Sequence, residues 1–307
     1  MLELHAGGYT AWIAPERGGA CLRLSRWGAE ALCTPKTEEE LAQTPFFFGT
    51  PLLFPPNRIS GAEFTFQGRR YSFPVNEPAT GCFLHGELYK TPFQVLSQGE
   101  GGVRLGYRAT AERPYLSFPH AFSLTLDWSL SPDGLRQETS FTNLSDADMP
   151  VALGFHTAFR APFAPEGRAE DVFLTLDTQR EYGRNMRNYL PDGSVFTEYP
   201  DRQALAQGTY QPCDQAVSRL FQMGARHEMR LTDRKRGLAV RYRAGEIFRY
   251  WMVYHGGPGK ALCVEPQSWL SNCPNAPFPR EKTGFDSIAP GETRRYETWL
   301  SIERTEA

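Results

Sequence analysis

The clearest pattern in the chain is strict alternation. In AFSLTLDWSL the apolar residues Phe122, Leu124, Leu126, Trp128 and Leu130 alternate with polar or small ones. A period of two predicts a strand with one face on a core. The turn signal SPDG follows, and LRQETSFTN then returns as the expected antiparallel partner. EFTFQGRRYSF reads as a hairpin with Gly68 in its short loop, and EMRLTDRKRGLAVRYRA as another around Gly237. RYETWLSIE, near the end, alternates again. IFRYWMVYH and KALCVEP are more continuously apolar, as central strands are.

Helix is scarce. TPKTEEELAQTP is the best candidate, because Thr37 and Glu40 have capping-box spacing. The stretch from Phe163 to Ala206 shows little periodicity and reads as long excursions over the sheets. The pattern therefore predicts an all-β protein, a large antiparallel β-sandwich with very little helix. No linker, charge block or repeat marks a boundary, so residues 1–307 read as a single domain.

Composition narrows the function classes. The 33 basic and 35 acidic residues nearly balance, against both a nucleic-acid footprint and a polybasic membrane anchor. No apolar run is long enough to span a membrane, and the first residues lack the pattern of a secretory signal. Six cysteines, at 21, 33, 82, 213, 263 and 273, are scattered without a CxxC pair and read as reduced thiols in a cytoplasmic protein. Motifs for phosphate loops, dinucleotides, zinc proteases and serine hydrolases are missing, and no His pair has metal-ligand spacing.

A few polar residues stand out against this background. In CVEPQSWL, Glu265 ends an apolar run, and Pro266 is expected to stop the strand just after it. A buried carboxylate is costly unless something pairs with it or uses it. His85 lies between Gly81 and Gly86, where the backbone can turn and let a side chain project. His156, in ALGFHTAF, suits either a satisfied core position or a general acid, since its reference pKa of about 6.5 lets it release a proton near neutrality. Asn57 and Arg58 follow two prolines. Arg58 offers a planar fork of donors for hydroxyls or a carboxylate, or it anchors its loop to an acid. His5, His120, His227 and His255 carry no partner signal and read as structural or surface residues, and Trp269 reads as core.

Taken in order, several stretches resemble the aldose 1-epimerase (galactose mutarotase) family. They are ERGGACLRLSRWGAEAL, PLLFPPNRISGAEFTFQGRRYSFPVNE, FLHGELYKTPFQV, GFHTAF, CVEPQSWLSNCPNA and GFDSIAPGETRRYETWLSI. Each is weak alone; the ordered set is specific and spans nearly the whole chain. The resemblance implies a large β-sandwich and interconversion of the α and β anomers of a free monosaccharide, with no cofactor and no metal. It implies that Glu265 is the base and His156 the acid. It also implies that Arg58, His85, Asn57 and Asp214 hold the substrate. HTAFRAPF departs from the galactose-type pattern, which carries an aromatic and an Asn after this His, so the chain resembles a divergent branch.

Three rivals are kept in view. A hexose-6-phosphate epimerase needs converging cations, for which Arg58, Arg160, Arg184 and Arg187 are the candidates. A sugar-binding or sensing protein would bind without chemistry. A glycosidase would need two carboxylates rather than Glu plus His. The expected assembly is a monomer or a homodimer, since exposed sheet edges allow the latter.

Overall fold

The computed structural model describes residues 1–257 and 259–305. Two large antiparallel sheets dominate it. The first runs in the order Gln94–Gly99, Gly102–Ala109, Phe122–Ser131, Gly134–Asn143, Thr293–Arg304, Leu238–Ala244, Glu228–Asp233 and Val172–Leu176. The second runs Pro191–Phe196, Thr178–Arg184, Val217–Met223, Tyr250–His255, Leu262–Gln267, Gly154–Phe155 and Leu52–Leu53, with Ala158–Phe159 also paired to Leu262–Gln267. A four-stranded sheet of residues from Leu2 to Glu30 packs beside them. The all-β sandwich expected from alternation is the architecture found.

The alternating strand behaves as its pattern requires. Phe122, Leu124, Leu126, Trp128 and Leu130 are all buried, and Ser131 pairs with Gly134 across the turn. Gly134 has φ 124°, and a Cβ there would sit 2.5 Å from the Leu300 carbonyl oxygen, so the turn requires glycine. The hairpins around Gly68 and Gly237 form as expected. Glu38–Gln43 is helical, with the Thr37 hydroxyl accepting from the Glu40 amide. Glu40 accepts in turn from the Lys36 amide, one residue before the cap.

The inner faces share one apolar core that draws residues from Leu4 to Ile302. From the second sheet it takes Trp251, Val253 and Val264; from the first, Leu126, Phe141, Tyr242 and Tyr296. Because side chains alternate along a strand, the neighbours Met252, Tyr254 and Glu265 point away from this core.

Two expectations are corrected. The segment from Phe163 to Ala206 is not a set of loops. It supplies Val172–Leu176 to the first sheet, Thr178–Arg184 and Pro191–Phe196 to the second, and a helix at Arg202–Gln207. Its signal is blurred by a register shift between Tyr182 and Arg184 and by an edge strand, PDGSVF, whose outer positions face solvent. The helix starts at Asp201 without a side-chain cap.

Pro266 likewise does not end its strand, which runs on to Gln267. The amides of Val264 and Ser268 donate to the carbonyls of Thr157 and Leu153 at 3.1 and 2.9 Å. Pro266 lies between them, opposite the break between Gly154–Phe155 and Ala158–Phe159, where no donor is required. The strand therefore carries Glu265 and Gln267 on the same face.

Among the described residues no helix is long and apolar enough to cross a membrane. All six cysteines are free.

Candidate active site

A cleft of about 510 Å³ opens on the outer face of the second sheet, within the size range of small-molecule sites. Ser218, Met252, Tyr254 and Glu265 form its floor. Its walls come from loops: Phe46 and Phe47 from the turn after the first helix, Asn57 and Arg58, Leu84 and His85, and Met186 and Tyr189. His156 enters from the short connection between Gly154–Phe155 and Ala158–Phe159. The next residue, Thr157, points the other way and donates to Tyr242 in the core at 3.0 Å. Alternation thus sends His156 outward.

The central contact joins His156 Nε2 to Glu265 Oε1 at 3.2 Å. Both residues are buried, Glu265 at 1% exposure and His156 at 6%. Burial pushes the Glu265 carboxyl up to about 8; the hydrogen bond from Gln267 and the charges of Arg184 and Arg58 offset only part of this. Burial pushes His156 down to about 4. Both shifts disfavour charge, so at neutral pH the resting pair holds one mobile proton and no net charge. The carboxyl's other oxygen, Oε2, accepts from Gln267 Nε2 at 3.1 Å.

His85 is held by backbone. Its Nδ1 accepts from the Asn57 amide at 3.2 Å, and its own amide donates to the Asn57 carbonyl at 3.0 Å. An imidazole nitrogen that accepts from an amide carries no proton, so the neutral ring bears its proton on Nε2. Burial first, then His156 and Arg58, hold this ring well below the usual histidine range. Both residues adopt left-handed backbone, φ 59° at Asn57 and φ 63° at His85. Gly86 follows at φ 67°, so close to the Phe54 carbonyl that a Cβ would come within 1.9 Å of its oxygen. The Phe46 ring packs on both imidazoles, with centroids 4.8 Å from His85 and 5.3 Å from His156.

Arg58 combines both roles open to it in the sequence. It lines the cleft, and it makes a two-pronged bond to Glu77, with Nε and Nη2 at 2.7 and 2.6 Å from the two carboxylate oxygens. Burial works against the Glu77 anion, but the bonds from Arg58 and Thr80 outweigh it and hold the carboxyl below its usual value.

Five of the six expected site residues therefore meet in one place: Glu265, His156, His85, Arg58 and Asn57. Asp214 does not join them. It is exposed and lies outside the cleft lining, although Ala216, Val217 and Ser218 just after it are inside. Of the four arginines considered for a phosphate, Arg160 and Arg187 do not line the cleft. Arg184 does not line it either; it donates to the Ser218 hydroxyl at 2.7 Å. Trp269 is core, its indole donating to the Pro56 carbonyl at 2.9 Å.

Sequence reasoning missed His255, which lines the cleft with Nδ1 3.1 Å from the Gln215 carbonyl oxygen. It also missed Phe46, Phe47 and Tyr189. The aromatic run FFF between Pro45 and Gly49 was a signal, since three aromatics without strand or helix periodicity demand a tertiary reason. Among the described residues no group of three or more His, Cys, Asp or Glu side chains is placed to hold a metal ion.

Glu265 and His156 thus lie together on the outer face of a β-sandwich, in a cleft walled by loops, and comparison with known proteins shows which family builds this fold. The family model for aldose 1-epimerase matches residues 1–301, and the chain belongs to that family. It is 28% identical to a galactose mutarotase-like protein from Clostridium acetobutylicum, with a TM-score of 0.93 over 99% of this chain and 95% of that one. An aldose epimerase homologue from C. elegans shares the fold, with a TM-score of 0.80 and 16% identity over 99% of both chains. The uncharacterized protein YphB of Escherichia coli K12 is 25% identical over 260 residues, which are 82% of this chain and 83% of the relative.

Proposed function

We propose that this protein is an aldose 1-epimerase acting on a free monosaccharide, with Glu265 as base and His156 as acid. The observation that carries this reading is the 3.2 Å contact between the two side chains on the cleft floor. Ring opening must take a proton from the anomeric hydroxyl and give one to the ring oxygen. These two oxygens are bonded to the same carbon, so two groups that stand close together on one side of the cleft can reach both.

The proton count closes without outside help. The reactive form of the pair is carboxylate and imidazolium, a tautomer of the resting acid and neutral imidazole. The anomeric hydroxyl gives its proton to Glu265 as the C1–O5 bond breaks, and His156 gives its proton to O5. The product is the open aldehyde, with the pair now in its resting tautomer. After rotation about C1–C2, O5 attacks the other face of the carbonyl, its proton returns to His156, and Glu265 protonates O1. The enzyme ends as it began, which suits a reaction with no co-substrate.

The remaining residues bind. The Nε2–H of His85 and the guanidinium of Arg58 are donors for hydroxyls. Phe46, Phe47 and Met252 offer apolar surface to a sugar's C–H face. A free sugar is favoured over a phosphorylated one because the Arg58 charge is already matched by Glu77.

Polarimetry of freshly dissolved α-D-glucose and α-D-galactose tests the proposal. The protein is expected to speed mutarotation above the spontaneous rate, and Glu265→Gln to lose about 100-fold or more of that activity while remaining folded. Full activity in Glu265→Gln would remove Glu265 from the chemistry.

A further inference from the structure

Beyond the reacting pair, the buried polar groups behind Glu265 form a chain whose direction is fixed. The Arg58 backbone amide donates to Asn57 Oδ1 at 3.0 Å. A backbone N–H can only donate, so that atom of Asn57 is the oxygen. The Ser271 hydroxyl donates to the same oxygen at 2.8 Å. Asn57 Nδ2 must then be the donor to Gln267 Oε1, at 3.3 Å. This orients the Gln267 carboxamide, and its Nε2 donates to Glu265 Oε2 at 3.1 Å. Asn57, Ser271, Gln267 and Glu265 are all buried.

We infer that Gln267 is a positioning residue for Glu265, fixing which carboxyl oxygen carries the mobile proton. Oε2 faces a permanent donor and stays an acceptor. The proton is confined to Oε1, the oxygen that faces His156 Nε2. The chain thus aims the proton of Glu265 into the cleft. It also explains why the strand continues past Pro266, since a residue two positions on shares the face of Glu265. The catalytic meaning of this arrangement rests on the function proposed above; the chain itself does not.

Other groups act on Glu265 as well. His156 touches it, His85 faces His156, the charges of Arg184 and Arg58 reach it, and the Cys263 thiol lies two residues earlier on the same face. None is altered in the variants below.

The test is a carbon-13 NMR titration of glutamate side-chain carboxyls in the full-length protein, with the Glu265 signal assigned by its loss in Glu265→Gln. In Gln267→Met the carboxylate loses a charge-assisted bond, so the Glu265 midpoint is expected to rise by about one pH unit or more. Asn57→Gly, which suits φ 59° at that position, frees the Gln267 amide to rotate and is expected to shift the midpoint less, in the same direction. Ser271→Ala leaves the Arg58 amide in place and is expected to leave the midpoint unmoved. In parallel, kcat of Gln267→Met is expected to fall about tenfold with KM within about twofold.

An unmoved midpoint in both folded Gln267→Met and Asn57→Gly overturns the inference. So does an equal shift in Ser271→Ala, which would mark a general change in polarity. The titration needs no turnover. A shift in a wild-type background without epimerase activity would sink the proposed function and leave the positioning chain standing.

Discussion

Asn57 and His85 hold each other in place: each backbone amide donates to the other residue, one to a carbonyl at 3.0 Å and one to an imidazole nitrogen at 3.2 Å. Two left-handed residues, each costing about 1–2 kcal/mol, are stabilised by this exchange. His85→Ala would strand the buried Asn57 amide. It is expected to cost about 1–3 kcal/mol in denaturant unfolding and to raise KM for the sugar. Nitrogen-15 NMR should show His85 neutral near pH 7 with its proton on Nε2; a charged ring there would refute the assignment.

The pH profile follows from the burial of the reacting pair. Below about 4 His156 takes up a second proton, and above about 8 Glu265 loses the one the pair shares. The rate constant kcat/KM is therefore expected to be level between these limits and to fall on either side. A profile that rises through pH 6.5 would show an unburied histidine and contradict the structure.

The same shift governs stability. The folded Glu265 value of about 8 exceeds its ordinary 4.5, so the folded protein keeps a proton that the unfolded chain releases. The contribution of Glu265 to stability is lost as pH rises from about 4.5 to about 8, while the lowered His156 value works in the opposite direction between about 4 and 6.5. Glu265→Gln removes this term. Its Tm relative to wild type is expected to climb across that window, which calorimetry at several pH values would record.

Glu77 acts through Arg58. Glu77→Gln breaks a two-pronged ion pair in which Arg58 and Glu77 are 14% and 21% exposed. The guanidinium is then free to swing, and KM should rise about threefold to tenfold with kcat little changed. An equal fall in kcat would place Arg58 in the chemistry itself.

Asp214→Ala provides the contrasting case. Because Asp214 is exposed and outside the cleft, both kcat and KM are expected to stay within about twofold of wild type. A large KM effect would require this loop to close over the sugar.

The sequence revealed what depends on local pattern. Alternation marked Phe122–Ser131 and its partner, and glycines marked the hairpins at 68 and 237. The motif order placed Glu265, His156, His85, Arg58 and Asn57, because each sits in a short local signature. It did not reveal what depends on distant strands. Pro266 reads as a strand end unless the break at His156 opposite it is known. The Gln267 amide gains its direction only from a backbone amide more than 200 positions earlier in the chain. Asp214 lies outside the cleft lining, which a loose match could not reveal because it cannot say which way a loop residue faces, and Phe46 was overlooked because a turn has no period.

Glu265 and His156 stand on the side of the second sheet that does not hold the molecule together. Met252 and Tyr254 face the cleft, while Trp251 and Val253, alternating with them, face the core. The lining of the cleft can therefore change by exchange of every second residue in a strand, with the intervening ones conserving the fold. Variation in what the cleft admits and preservation of structure are assigned to opposite sides of a single layer.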